Sequence, residues 1–289
     1  MIRELTPADA AETLALLRAR PLRNLFLDYV VSTGGLGRAS GFLGYVANGR
    51  IGGVLMIGPL GGTTLEVRAP EAYAPLAEAA SRQPIRPRHL IGSEDVTAPF
   101  WREYSKHAGV VLWERREPVY LLDAEGLRRS TRGEEHTRIE RARERDADVI
   151  VSHSALQHRE DLKDDRQAMD PEGFAERHRT DVCDGRWWVV REKGRIAFQV
   201  HVGVRTPHAT QIGGVFTPPD LRNAGHATRG VAAISARLLK ERPHVSLFCA
   251  EDNTPARRVY ERVGYRVACY NRSWLFDEPL IPESPAEYA

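Results

Sequence analysis

Apolar and polar positions follow two periods along this chain, and the periods alternate in the same order twice. Helical spacing opens the sequence: Thr6 is a cap, Pro7 suits a first turn, and Ala10, Leu14 and Leu17 fall on one face. The period then drops to two. Phe42 to Ala47 and Arg50 to Ile57 read as strands joined by Asn48-Gly49, the strongest short hairpin signal. A strand over Thr63 to Val67, a helix over Pro70 to Ala80 and a strand over His89 to Gly92 follow. A helix over Ala98 to His107 and a long strand over Val110 to Leu122 end the first half. In the second half, strands are expected over Trp187 to Arg191, Ile196 to Val204 and Ala209 to Thr217, with Lys193-Gly194 as the first turn. Thr228 to Glu241 is helical, with Val231, Ile234 and Leu238 in one stripe. A buried strand over Val245 to Ala250, a helix over Asn253 to Val263 and a closing strand over Tyr265 to Phe276 complete the series.

Residues recur as well as periods. Asn48-Gly49-Arg50-Ile51 parallels Lys193-Gly194-Arg195-Ile196, and Glu94-Asp95-Val96-Thr97 parallels Glu251-Asp252-Asn253-Thr254. Each of the latter pair opens a helix carrying a tyrosine, Tyr104 or Tyr260, and ending near a glycine, Gly109 or Gly264. The shared order argues for an internal duplication. The expected division is residues 1–124 and 125–289, with Glu125 to about Thr137 as linker.

Composition narrows the class. The 289 residues suit two compact domains, and 42% hydrophobic with 28% charged is ordinary globular usage. A net charge of +2, from 41 basic and 39 acidic residues, gives no general attraction to nucleic acid or anionic membrane, so neither is expected as a partner. Arg128 to Arg145 is dense in both signs, the pattern of a solvated helix or linker. Cys183, Cys249 and Cys269 have no metal or disulfide spacing, which fits a reducing compartment, and Cys249 sits in an apolar run. No signal peptide or spanning segment is read, so a cytoplasmic protein is expected. His153, His158, His178, His201 and His208 lack ligand spacing, and no metal is expected. Trp187-Trp188 is read as one core side chain and one interface side chain.

Chemistry concentrates in Val215-Phe216-Thr217-Pro218-Pro219-Asp220-Leu221-Arg222-Asn223-Ala224-Gly225-His226-Ala227-Thr228. A strand stopped by two prolines feeds a glycine-containing turn and then a helix. Such a helix start offers unsatisfied N–H groups and the positive end of the peptide dipoles, suited to a pyrophosphate. Gly225 and Ala227 leave the backbone open to it. Downstream, Asn253 caps a helix with Pro255 in its first turn and Gly264 at its end.

Together these stretches resemble the Gcn5-related N-acetyltransferase (GNAT) superfamily. Arg222 to Ala227 matches its acyl-CoA loop, Arg/Gln-x-x-Gly-x-Gly/Ala. Asn253 to Tyr265 matches its later Asn-x-x-Ala-x-x-x-Tyr-x-x-x-Gly-Tyr/Phe helix. The whole chain resembles bacterial tandem members whose first copy is degenerate and of unknown function. The resemblance implies an α/β (α+β) fold of two tandem domains, each a mixed, mostly antiparallel sheet with helices on both faces. It implies acetyl-CoA as co-substrate, without metal, and direct acyl transfer to the amine of a small molecule or peptide. Val215, Phe216 and Thr217 would meet the pantetheine arm. Arg222, Asn223, Ala224, Gly225, His226, Ala227 and Thr228 would cradle the pyrophosphate. Asn253 would contact the arm, and Tyr260 would protonate the departing thiolate.

The general base departs from the better-known pattern. Gln211 falls where some members carry a glutamate, and Glu251, Asp252 and His201 are candidates by proximity, with Glu251 taken as the catalytic choice. In the first half the corresponding stretch, Arg68-Ala69-Pro70-Glu71-Ala72-Tyr73-Ala74-Pro75-Leu76, has no glycine to admit a phosphate, so no coenzyme is expected there. Two functional readings stand. One is an N-acyltransferase. The other is a non-catalytic acyl-CoA sensor or partner-binding protein of the same fold, which would have no need of Tyr260. Transfer of an amino acid from transfer RNA is disfavoured for want of a basic face.

Overall fold

The computed structural model describes residues 1–37, 41–130, 137–162 and 170–277. The chain divides into two compact units, one of residues Met1–Glu117 with Cys269–Ala289, the other of Pro118–Ala268. Each is a mixed α/β unit with a largely antiparallel sheet.

In chain order the elements are β1 (Ile2–Glu4), α1 (Ala10–Arg18), α2 (Leu25–Ser32), β2 (Gly41–Ala47), β3 (Arg50–Ile57), β4 (Gly62–Val67), α3 (Tyr73–Ser81), β5 (His89–Ser93), α4 (Glu94–Tyr104) and β6 (Val111–Leu122). There follow α5 (Ala124–Ser130), β7 (Glu140–Arg141), α6 (Ala147–Leu162), α7 (Pro171–Cys183), β8 (Trp187–Glu192), β9 (Arg195–Arg205), β10 (Thr210–Phe216), α8 (His226–Leu238), β11 (Val245–Phe248), α9 (Thr254–Val263) and β12 (Arg266–Phe276). Both Asx/Lys-Gly hairpins form as expected, with left-handed backbone at Asn48, Gly49, Lys193 and Gly194.

In the first unit β1, β2, β3 and β4 pair antiparallel in succession. β4 and β5 then pair in parallel, and β5 pairs antiparallel with the Asn271–Leu275 part of β12. Alternation sorts side chains to two faces. Leu55 packs with Leu76, Leu90 and Phe100 on one face, while Val54 and Met56 pack with Leu17 and Leu27 on the other.

The second unit repeats that order. β7, β8, β9 and β10 are antiparallel, β10 and β11 parallel, and β11 antiparallel to the last residues of β6. Under α8 lie Val190, Phe198, Val200 and Ile212, joined by Tyr260 and Tyr265. The opposite face holds Trp187, Val189 and Ile196 against Ile150 and Val182. Gly230 lets α8 lie close on β9, since a Cβ there would stand 2.4 Å from Cδ1 of Phe198.

Several elements differ from the sequence expectation. α4 starts at Glu94 rather than Ala98, with the Ser93 hydroxyl donating to the Asp95 carboxylate at 2.6 Å beside its first turn and Pro99 accommodated inside it. The mixed-charge stretch holds the end of α5 and then β7, and residues 131–136 of the expected linker lie outside the described residues. Trp187 and Trp188 are both buried, on opposite faces of β8. α6 and α7 were not anticipated. Their buried positions (Ile150, Val151, Ser154, Ala155; Phe174, Val182) are sparse among charged and histidine residues. Among the described residues no helix is long and apolar enough to cross a membrane.

Candidate active site

The site begins where two strands part. β10 and β11 pair only at Thr210 with Val245 and at Gln211 with Ser246. From Ile212 onward β10 keeps β9 alone, while β11 stays paired with β6 along its length. A register irregularity between Gly213 and Phe216 bends β10 further, and Gly214 takes a left-handed conformation with φ of 58°. The carbonyl of Val215 accepts from Nε2 of Gln157 on α6 at 3.2 Å. Oγ1 of Thr217 is buried without a hydrogen-bond partner among the described residues.

Beyond Thr217 the prolines end the strand, and Pro219–Leu221 forms a single 3-10 turn. Asn223 (φ 62°) and Gly225 (φ 79°) are both left-handed, and Gly225 caps α8. The first helical bond runs from the Arg229 N–H to the Gly225 carbonyl at 3.0 Å. The N–H groups of His226, Ala227 and Thr228 are therefore the ones a helix leaves without an internal acceptor. Nη1 of Arg229 folds back to the Ala224 carbonyl at 3.0 Å, and a Cβ on Gly225 would meet it at 2.7 Å. Buried His226 is fixed by Glu192 at 2.8 Å from its Nε2. Arg222 turns to Glu160 at 2.8 Å and donates to the Thr217 carbonyl at 3.0 Å, so it braces the loop as built. Asp220 is matched by Arg195 at 2.8 Å. The acids around the turn thus have cationic partners, while its amides stay open, and the orphaned Thr217 hydroxyl marks the parting of the strands. These features fit a diphosphate on an extended polar arm.

On the far side of the parting, Asn253 caps α9 by accepting from the Ala256 N–H at 3.2 Å, and its Nδ2 donates to Asp161 at 3.3 Å. Tyr260, on the buried stripe of α9, meets Tyr120 edge-on with centroids 5.7 Å apart. Burial, reinforced by Cys249 and Asp161, raises its hydroxyl pKa well above the usual 10.0. The hydroxyl is a proton donor that stays loaded. Cys249 is half-buried rather than fully enclosed. Glu251 and Asp252 are exposed in the turn between β11 and α9, and the Glu251 carbonyl accepts from Arg257 at 3.0 Å.

The face of the sheet under α6 and α7 carries a group of rings that linear spacing did not reveal. His178 lies 5.7 Å from Trp187, and Trp187 lies 4.9 Å from His201, by centroids. Nε2 of His201 is 3.2 Å from Oδ2 of Asp181. His153 faces Phe216 at 5.3 Å and bonds Gln199 at 3.0 Å, and burial lowers its pKa. The missed residues, Gln157, Asp161 and Asp181, sit on α6 and α7, whose existence was the missing step. Among the described residues no cluster of three or more His, Cys, Asp or Glu is placed to hold a metal.

Residues 197–275 match the model of a family described as FR47-like protein. No curated protein matches the sequence. A GNAT-family acetyltransferase from Colwellia psychrerythraea superposes over 96% of this chain and 100% of its own, with 10% identity and a TM-score of 0.62. A tandem GNAT protein from the clavulanic acid biosynthesis pathway covers 95% and 97%, at 16% identity and a TM-score of 0.62. A GCN5-related N-acetyltransferase from Sphaerobacter thermophilus covers 95% and 94%, at 16% identity and 0.55. At such identities the likeness is one of fold. Residues 197–275 resemble FR47-like proteins, and the chain carries the fold of the Gcn5-related N-acetyltransferases.

Proposed function

We propose that the protein is an N-acyltransferase that moves an acyl group, acetyl first among them, from coenzyme A to the amine of a small molecule or peptide. The observation that carries this is the parting of β10 and β11 directly ahead of the open N-terminus of α8. Bound there, the co-substrate supplies an activated thioester. The amides of Asn223 to Thr228 hold its diphosphate, and the free edge of β10 from Ile212 to Phe216 bonds the amides of its arm. Asn253 stands at the other wall. Tyr260 gives its proton to the departing sulfur, and its raised pKa keeps that proton in place until then. Positioning supplies much of the remaining acceleration.

The first unit is proposed as a degenerate copy that binds no coenzyme. There the equivalent turn uses its own amides: Arg68 and Ala69 N–H both donate to the Gly52 carbonyl, at 2.8 and 3.1 Å, and Ala72 N–H to Ala69 at 2.9 Å. Pro70 has none to give.

The reading is tested by following thiol release from acetyl-CoA against a panel of primary amines. Amine-dependent release that falls in Tyr260→Phe supports it. Tight coenzyme binding with no release on any amine would favour the sensor instead.

A further inference from the structure

We infer that His201, oriented by Asp181, is the base that takes the proton from the acceptor amine, a role that rests on the acyltransfer reading above. The glutamate position of the better-known pattern is Gln211, which accepts no proton, so the site needs another group on the same face of the sheet. Gln211 lies on the strand face opposite to Ile212, which is buried under α8, and that is the face α6 and α7 cover.

His201 is built into that face. Its strand partner is Gly213, the residue at which β10 bends, and its Cβ would lie 3.3 Å from a Cβ on Gly214. Its ring extends along β9 over Gly203, where a Cβ would approach Cε1 to 2.9 Å and Nδ1 to 3.0 Å. Gly203 is opposite the register shift between Gln211 and Ile212. Two glycines thus clear the space that the ring occupies beside the bend. Trp187 packs against the ring, and a Cβ on Gly214 would be only 2.8 Å from the Trp187 indole. The Asp181 carboxylate lies 3.2 Å from Nε2. Nε2 is buried and its geometry to Asp181 falls short of a hydrogen bond, but the carboxylate is the charge nearest to it and favours a proton on Nε2, which leaves the Nδ1 lone pair to receive one. The ring keeps 23% of its side-chain surface, so it is positioned without being sealed.

The charged and titratable groups facing the ring are few. From α7 come Asp181 and His178. The latter's ring N lies 2.8 Å from the Phe174 carbonyl, and burial lowers its pKa, so it stays neutral. Arg186 lies behind Asp181 at 3.4 Å. Burial pushes the Asp181 carboxyl up, but His201 and Arg186 outweigh it and hold the pKa below the ordinary value, so the carboxylate is charged when the imidazole takes a proton. β8 contributes Trp187, and β10 contributes the neutral Gln211.

The protons balance. An acceptor arriving as an ammonium ion loses one proton to Nδ1 of His201, and from there to solvent. The amine nitrogen forms the bond to the carbonyl carbon and the carbon–sulfur bond breaks. Tyr260 protonates the sulfur and is restored by the second amine proton.

The test is the pH dependence of kcat/KM for the amine, at saturating acetyl-CoA, in the full-length wild type, His201→Gln and Asp181→Asn, with coenzyme affinity measured calorimetrically for each. The inference expects His201→Gln to lower kcat/KM by roughly 10²–10⁴-fold, with unchanged coenzyme affinity and an altered pH profile. Asp181→Asn is expected to lower kcat/KM less than His201→Gln does, again with unchanged coenzyme affinity. An unchanged pH profile in His201→Gln, or a loss under about threefold at neutral pH, overturns the dyad while leaving acyltransfer in place. Failure of the wild type to transfer to any amine overturns both.

Discussion

Nδ2 of Asn253 lies 3.3 Å from Oδ1 of Asp161, so the cap of α9 is also tied to α6 across the parting of β10 and β11. Its Oδ1 meanwhile serves the Ala256 N–H. Asn253→Ala removes both. A loss of about 1 kcal/mol is expected from the cap alone, measurable by urea unfolding, together with weaker coenzyme binding. Asn253→Asp keeps the acceptor and loses the donor, so it should retain the helix and still weaken the coenzyme.

Tyr260→Phe should leave coenzyme affinity nearly unchanged and lower kcat by roughly 10²–10⁴-fold, the usual contribution of a placed acid. Because burial raises the Tyr260 pKa well above 10.0, the wild-type rate should show no loss from tyrosine ionisation up to that pH. Steady-state kinetics of the two proteins across pH check both statements.

Most of the strands, and the turns that frame the candidate site, were legible in the sequence. Gly225 and Gly264 stand where the chain turns left-handed, and Asn253 and Pro255 mark the start of α9, all local signals. α6 and α7 were not legible, because Val149 is exposed while Ile150, Val151 and Ala155 are buried, so no clean stripe appears. Without them Gln157, Asp161 and Asp181 had no place. Nor does alternation in β12 say which strand it joins. Period two sets which face is buried and leaves the partner to tertiary packing, and β12 pairs with β5 over Asn271–Leu275.

The first unit holds a carboxylate whose charge works against folding. Glu117 is buried, accepts from the Ser273 hydroxyl at 3.0 Å, and has its pKa raised above 4.5 by burial. A raised acid contributes its stability below the unfolded pKa and loses it as pH rises through the folded value. Glu117→Gln removes that loss. Its melting temperature relative to wild type should therefore improve as pH rises above 4.5 and level off once the folded carboxyl has ionised, as scanning calorimetry would register. A difference that shrinks with rising pH would contradict the assignment.

Coenzyme stoichiometry separates the two units. With the amides of Arg68, Ala69 and Ala72 already bonded, the full-length protein should bind a single acetyl-CoA per chain. A second site of comparable affinity that survives a change at Gly225 would show that the first unit binds it too.

The most direct measurement is a calorimetric titration of acetyl-CoA into the wild type and into Gly225→Glu, with circular dichroism as a check on folding. Gly225 has φ of 79°, where a side chain is strained, a Cβ there would push the Arg229 guanidinium aside, and a carboxylate would oppose a diphosphate. The account predicts saturable binding by the wild type and none by a folded Gly225→Glu. Equal binding by the variant, or no binding by the wild type, would mean that the turn ahead of α8 does not hold the coenzyme.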